Sequence, residues 1–263
     1  MLPDLSFWFE LVFKMVMTAG VVVFISIVVE RSGPFIGAMI AALPTAAGAA
    51  YVILAIEYPP SFIAASAVGS MAAGAAVSVF AAVYAVLAQR HGVVLSLGVS
   101  LLVWFACAGL LRVFDWTVLS ALVLNVAVYA VTVPLSWRYR SSAPPRKFLR
   151  TRYDIPLRAL AAAVVVVIVT TASHSIGSFA SGMFALFPII FCSSIVILHP
   201  RIGGKATASM MANAQVALIG LTLAFVAVRY LAEPIGSWWA LLVGLCISSA
   251  WSGMLVLMRQ KRQ

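Results

Sequence analysis

The chain has 263 residues, of which 64% are hydrophobic and 9% charged, with a mean hydropathy of +1.11. A soluble domain runs about 45–50% apolar and about 25% charged, so a water-soluble fold is excluded. The net charge of +10 and pI near 10.1 come from a few short loops rather than one basic face, which argues against a nucleic-acid partner.

Apolar runs longer than the roughly 20 residues that cross a bilayer as a helix recur along the chain. Nine transmembrane helices are predicted, over 7–29, 34–56, 62–88, 93–112, 116–136, 156–173, 178–198, 206–230 and 236–258. The fold class is all-α, a polytopic membrane protein. The first span is read as a retained helix rather than a cleaved signal. It is too long, and Asp4 and Glu10 stand where a basic n-region belongs. Gly and Pro punctuate most of the breaks, among them Arg31–Pro34, Glu57–Pro60, Ser173–Gly177, His199–Gly204 and Glu233–Pro234. Cys107, Cys192 and Cys246 all lie inside apolar runs, which speaks against a disulfide framework or a zinc site.

Lys and Arg set the orientation. If the loop 137–155 is cytoplasmic, 14 of the 17 basic residues fall on that side, and Arg112, Arg229 and Lys14 do not. The expected topology has the N-terminus outside and the C-terminus in the cytoplasm of a cell bearing an inner membrane. The same loop holds six basic residues before Asp154. It reads first as a topology determinant and second as a contact for anionic lipid headgroups.

The second and seventh spans match at an offset of 144. Gly33, Phe35, Met39, Ala41, Pro44, Val52, Ile53 and Leu54 equal Gly177, Phe179, Met183, Ala185, Pro188, Val196, Ile197 and Leu198. The third and eighth match at 139, through Ser70-Met71 and Ser209-Met210, and through Ala73, Ala75 and Val77 against Ala212, Ala214 and Val216. The expected organisation is a repeat over 1–113, a linker helix and basic loop over 114–155, and a second repeat over 156–263. Five crossings separate the starts of the copies, so the copies face opposite ways. This 4 + 1 + 4 inverted-topology plan resembles that of small inverted-repeat transporters with crossed, broken helices. Simple enlargement of a bundle by duplication is the competing explanation.

Pro44 and Pro188 stand near the middle of matching spans. Proline removes a backbone donor and crowds the carbonyl four residues back. At membrane depth the freed groups need protein or a water-filled cavity. Paired breaks of this kind point to a binding site, against the alternative of paired packing kinks. Polar side chains cluster nearby in sequence, and the expected substrate-binding set is Lys14, Pro44, Thr45, Ser70, Pro188, Ser193, Ser194, Ser209, Asn213 and Gln215. Ser66, Ser70 and Gly74 share a helix face, which also suits close packing. Lys14 can pair with Glu10 one turn away and snorkel, or can serve as counter-charge for an anion.

No span carries a deep Asp or Glu, and neither a metal-ligand spacing nor a nucleophile–base set is found, so the protein is expected to be neither an enzyme nor a cofactor carrier. The expected function is a secondary transporter or permease for a small polar or anionic solute, working by alternating access between the two repeats. The alternatives are a lipid flippase or scramblase and a non-transporting membrane scaffold. Expected partners are the solute and membrane lipids, with a homodimer left open.

Overall fold

The computed structural model describes residues 45–140 and 154–260, with isolated helical positions at 12, 13, 16 and 20. The first span, the segment leading to Pro44 and most of the basic loop lie outside the described residues. Among the described residues there are eight helices and no strand. They are α1 (Thr45–Glu57), α2 (Pro60–Leu87), α3 (Val93–Leu111), α4 (Val118–Trp137), α5 (Asp154–Ala185), α6 (Ile189–Ile202), α7 (Gly204–Ile235) and α8 (Ser237–Gln260). Six stretches are long and apolar enough to span a bilayer: α2, α3, α4, Ala162–Ala185 of α5, α7, and Ser237–Met258 of α8. Helices α1 and α6 are shorter. The architecture is that of a multi-pass helical membrane protein.

Helix α2 is the centre. Its sequence is mostly Ala, Gly, Ser and Val, and 20 of its 28 residues are buried. A helix apolar all round belongs inside a bundle. It packs against α3, α4, α5 and α7, while α8 packs on α7. By contrast α4 buries only Ala121, Asn125, Tyr129, Thr132 and Ser136 of its 20 residues.

Helices α2 and α7 cross antiparallel. The end of α2 meets the start of α7, where Gly204 abuts the Ala88 carbonyl. Further along, the Gln215 amide reaches the Ser78 carbonyl, and further still Thr222 lies beside Gly74. The short helices bridge this pair. Helix α1 packs on α8, and α6 packs on α3.

Helix breaks fall where glycine takes a positive φ. Gly177 (φ 78°), Gly203 (φ 84°) and Gly236 (φ 86°) each turn the chain out of a helix, a conformation glycine adopts without steric cost. This shifts three expected breaks. Ser173 and His174 are helical, and α5 turns only at Gly177. Pro200 lies inside α6, which runs to Ile202. Pro234 lies inside α7, which runs to Ile235. The reason is physical: a proline near a helix end deletes one hydrogen bond, but a positive φ is what redirects the backbone.

The residues after Gly177, 178–185, form a second limb of α5 that crosses α2 at backbone contact. A Cβ added at Gly182 would collide with the Ser66 carbonyl, and one at Gly69 with the Phe179 carbonyl. Small residues permit such approaches in membranes, where dispersion rather than the hydrophobic effect holds helices together. Gly109 has nothing within 4 Å of its would-be Cβ. Gly182→Ala is therefore expected to lower stability by about 1–3 kcal/mol through overpacking, whereas Gly109→Ala is neutral or stabilising. Thermal unfolding in one detergent checks both, and equal melting temperatures would contradict the crossing.

Candidate functional site at the broken helix

The seventh expected span is two pieces. Its first limb ends at Ala185, and α6 begins at Ile189 with Pro188 as its cap (φ −74°, ψ 45°). The first limb closes tightly, with Leu186 N–H donating to the Met183 carbonyl (3.3 Å) and Phe187 N–H to Phe184 (2.9 Å). These i to i−3 bonds bypass the Gly182 carbonyl. Ser70 Oγ donates to it at 2.7 Å. The same hydroxyl is 2.7 Å from the Tyr51 hydroxyl. One serine thus ties α1, α2 and the broken span together, and supplies a donor the break itself removed.

The break lies near mid-depth of α2. Gly182 touches Ser66 and Ser70 above it, and beyond it Phe191 stacks on Phe80 at 6.4 Å. Pro188 therefore stands level with the residues around Gly74. On one side the wall is aromatic. Buried Trp104 from α3 meets Phe187 edge-on at 4.9 Å and Phe184 at 5.9 Å. Its Nε1 has no hydrogen-bond partner among the described residues.

A second face of α2, toward α4 and α7, is polar. A Cβ at Gly74 would lie 3.4 Å from Asn125 Oδ1, 3.5 Å from the Tyr129 hydroxyl and 3.6 Å from Thr222 Oγ1. Three hydrogen-bonding atoms from α4 and α7 thus converge over one glycine of α2. Asn125 spends both amide hydrogens on carbonyls, Met71 and Ala121, each at 2.8 Å. Those bonds fix which way its amide points and leave Oδ1 facing Gly74. The bonds within the trio are long: 3.2 Å from Tyr129 to Thr222, and 3.4 Å from Thr222 to Asn125. An O–H···O bond is best near 2.7–2.8 Å, the length found at Ser70 and at the Ser78–Thr132 pair (2.8 Å). Thr222 Oγ1 also donates to the Leu218 carbonyl of its own helix at 3.1 Å, so what the trio keeps unspent is mainly acceptor capacity.

The expected site residues separate into groups. Ser70 and Pro188 lie at the break. Ser193 and Ser194 are buried on α6, and Ser193 Oγ donates to Ile190 O of its own helix. Gln215 is fully buried, its Nε2 donating to the Ser78 carbonyl at 2.8 Å. Ser209 donates to the Arg140 carbonyl (2.9 Å), and Asn213 to the Ser209 carbonyl (2.8 Å). Because α2 and α7 run antiparallel, Ser209 lies near the far end of α2. It is about 20 Å along the bundle axis from Ser70, at 1.5 Å per residue. Thr45 is the first residue of α1. Pro44 and Lys14 lie outside the described residues.

Tyr51, Asn125, Tyr129 and Thr222 are absent from the expected set. The signal for α4 was present in the sequence. Asn125, Tyr129, Thr132 and Ser136 recur at i, i+4, i+7 and i+11, one helical face. They are also the face that α4 buries, with Ala121.

No protein-family model, no curated protein and no solved structure matches the chain. The site therefore has to be read from its own chemistry.

Loss of the Ser70 hydroxyl leaves the Gly182 carbonyl without its donor and the Tyr51 hydroxyl without its neighbour. Ser70→Ala should cost about 1–3 kcal/mol. Ser193→Ala, which removes only a bond within its own helix, should change the unfolding midpoint little. Indistinguishable midpoints would refute the bridging role.

Proposed function

We propose that the protein is a secondary transporter, a permease for a small polar or anionic solute, and that the solute binds at the Gly74–Asn125–Tyr129–Thr222 cluster, at about the level of the break at Pro188. The observation that carries this reading is a broken span at mid-depth of α2 together with long-bonded polar atoms converging on another face of α2 at about the same level. Packing alone does not call for an asparagine, a tyrosine and a threonine converging on a glycine inside an apolar bundle.

The inverted-repeat organisation supports the reading. Two helix starts recur at a constant separation: Pro60 and Gly204, and Val93 and Ser237, are each 144 apart. That spacing equals the sequence offset between Pro44 and Pro188. It also assigns Ser70 to Ala214 rather than to Ser209, in place of the 139 register. Local devices differ between the copies. Pro59 at φ −67° opens α2, whereas Gly203 at φ 84° opens α7. The antiparallel crossing of α2 with α7, and the paired contacts of α1 with α8 and α6 with α3, are what a two-fold axis in the membrane plane would generate. The nine-span count and the two-repeat division are part of this proposal. So is the assignment of the end bearing Arg90, Arg140, Arg201 and Lys205 to the cytoplasm of an inner-membrane protein.

The chemistry of the cluster suits a polar solute that donates hydrogen bonds: Asn125 Oδ1 and Thr222 Oγ1, whose hydrogen goes to the Leu218 carbonyl, accept, and the Tyr129 hydroxyl accepts or donates. The first turn of α6 begins at the same depth, and the positive end of a helix favours an anionic group. Alternating access would follow if the two halves exchange conformations about the α2–α7 crossing.

Gly74→Ala is the discriminating variant. Its methyl fits at ordinary contact distances yet covers the three polar atoms. A thermal-shift screen of carboxylates, phosphate esters, amino acids and sugars in nanodiscs should find a stabilising solute, since saturation at about 100 Kd adds about 2.7 kcal/mol. Proteoliposomes should take that solute up, and Gly74→Ala should lose uptake while keeping the wild-type unfolding temperature in its absence. Undiminished uptake by Gly74→Ala would sink the site. A flat screen with no uptake would favour the scaffold reading.

A further inference from the structure

A second polar feature runs from the central cluster toward one end of the bundle. Its floor is the buried face of α4. From Tyr129 to Ser136 that face runs seven steps, about 10 Å of helix, and Arg140 lies in the turn that follows Trp137. The opposing wall is α7, antiparallel to α4. Tyr129 lies against Thr222 at one end of the seam. At the other, Arg140 Nε donates to the Ala212 carbonyl (3.3 Å) and Ser209 Oγ to the Arg140 carbonyl. In between, Thr132 pairs with Ser78 of α2, and Gln215 donates to the Ser78 carbonyl.

Two atoms along this seam lack a partner. Gln215 Oε1 and Ser136 Oγ are both buried with no hydrogen bond within the described protein, and both residues are fully buried. They lie along one seam a turn apart: Gln215 and Thr132 both bond Ser78, and Ser136 is one turn further along α4. The Gln215 amide cannot be turned to relieve this, because Nε2 must face the Ser78 carbonyl. Each unmet polar atom costs about 1–3 kcal/mol when buried. An unmet acceptor and an unmet hydroxyl along one buried seam are the chemistry of internal water sites.

We infer that the α4–α7 seam is a hydrated path, with water bound at Gln215 Oε1 and at Ser136 Oγ, leading from the Gly74 cluster to the bundle end that carries Arg140. Water there accepts from or donates to Ser136 and donates to Gln215 Oε1. Thr132 and Ser78 continue the file inward. Arg140, stacked over Trp137 with its guanidinium carbon 4.5 Å from the ring centroid, sits at the mouth and favours anionic entrants. The hydration does not depend on transport being the function. If the permease reading is right, this seam is the solute's route on that side.

Cysteine accessibility tests the path. In a background with Cys107, Cys192 and Cys246 replaced by Ala, single variants Thr132→Cys and Ser136→Cys probe the seam. Val131→Cys and Leu135→Cys probe the adjacent lipid-facing positions, which are exposed on the bundle surface. The reagent is an anionic, membrane-impermeant methanethiosulfonate, applied to protein in nanodiscs so that both faces are reached. A thiol reacts as the thiolate, which requires water, so modification should be at least about tenfold faster at the seam pair than at the lipid-facing pair. A seam pair as slow as the lipid-facing pair would overturn the inference, whatever the outcome of any uptake assay. Radiolytic hydroxyl labelling of the unmodified protein gives an independent reading should a cysteine variant fail to fold. Buried Tyr129 is expected to be labelled by its neighbouring water, and an unlabelled Tyr129 would contradict the path.

Discussion

A backbone carbonyl inside a bilayer must find a donor, and that requirement organises this protein. The span around Pro188 gives up its regular ladder at mid-depth. Its Gly182 carbonyl is taken by Ser70 of the central helix, and Ser70 in turn meets Tyr51 of α1. The bond is feasible only because backbones touch at the crossing. Gly69, Gly182 and the alanines of α2 bring α2 and the broken span closer than larger side chains allow. Small residues, the proline break and the serine are therefore one device: each is unfavourable in lipid without the others.

That device leaves room for chemistry. With the middle of α2 stripped to Gly74, side chains from α4 and α7 reach the bundle axis and present three polar atoms there. The helix that supplies two of them, α4, exposes most of its surface. It buries one face, and that face is polar apart from Ala121. It serves less as a connector than as the polar lining of the α2–α7 crossing. The aromatic wall of Trp104, Phe184 and Phe187 closes the opposite side of the break.

Much of the architecture is legible in the sequence, because it rests on long-range composition. Apolar run length predicts the helices from α2 to α8, and Pro188 predicts the interruption. Ser70 stands out by its register on a small-residue face. Three things are harder to read. Helix ends depend on glycine φ, so Gly177, Gly203 and Gly236 override the nearby Ser173, Pro200 and Pro234. Ser70 and Ser209 do not converge because α2 and α7 run antiparallel, which leaves them about 20 Å apart along the axis. The polar face of α4 is visible as a helical period, yet regarding that span as a linker hides it. Its partner Thr222, and Tyr51 that meets Ser70, are isolated polar residues in apolar runs, and only the tertiary crossing shows what they meet.

The account's central claim is that two halves meeting at the α2–α7 crossing exchange conformations, opening one end as the other closes. Pulsed electron–electron resonance with nitroxide pairs tests this directly. One pair, at Ser61 and Glu233, reads the end where α2 begins, and another, at Arg90 and Arg201, reads the end where α2 finishes. The account predicts two distances for each pair, with populations that shift in opposite senses at the two ends when solute or pH is varied. A single narrow distance at both ends under every condition would contradict it.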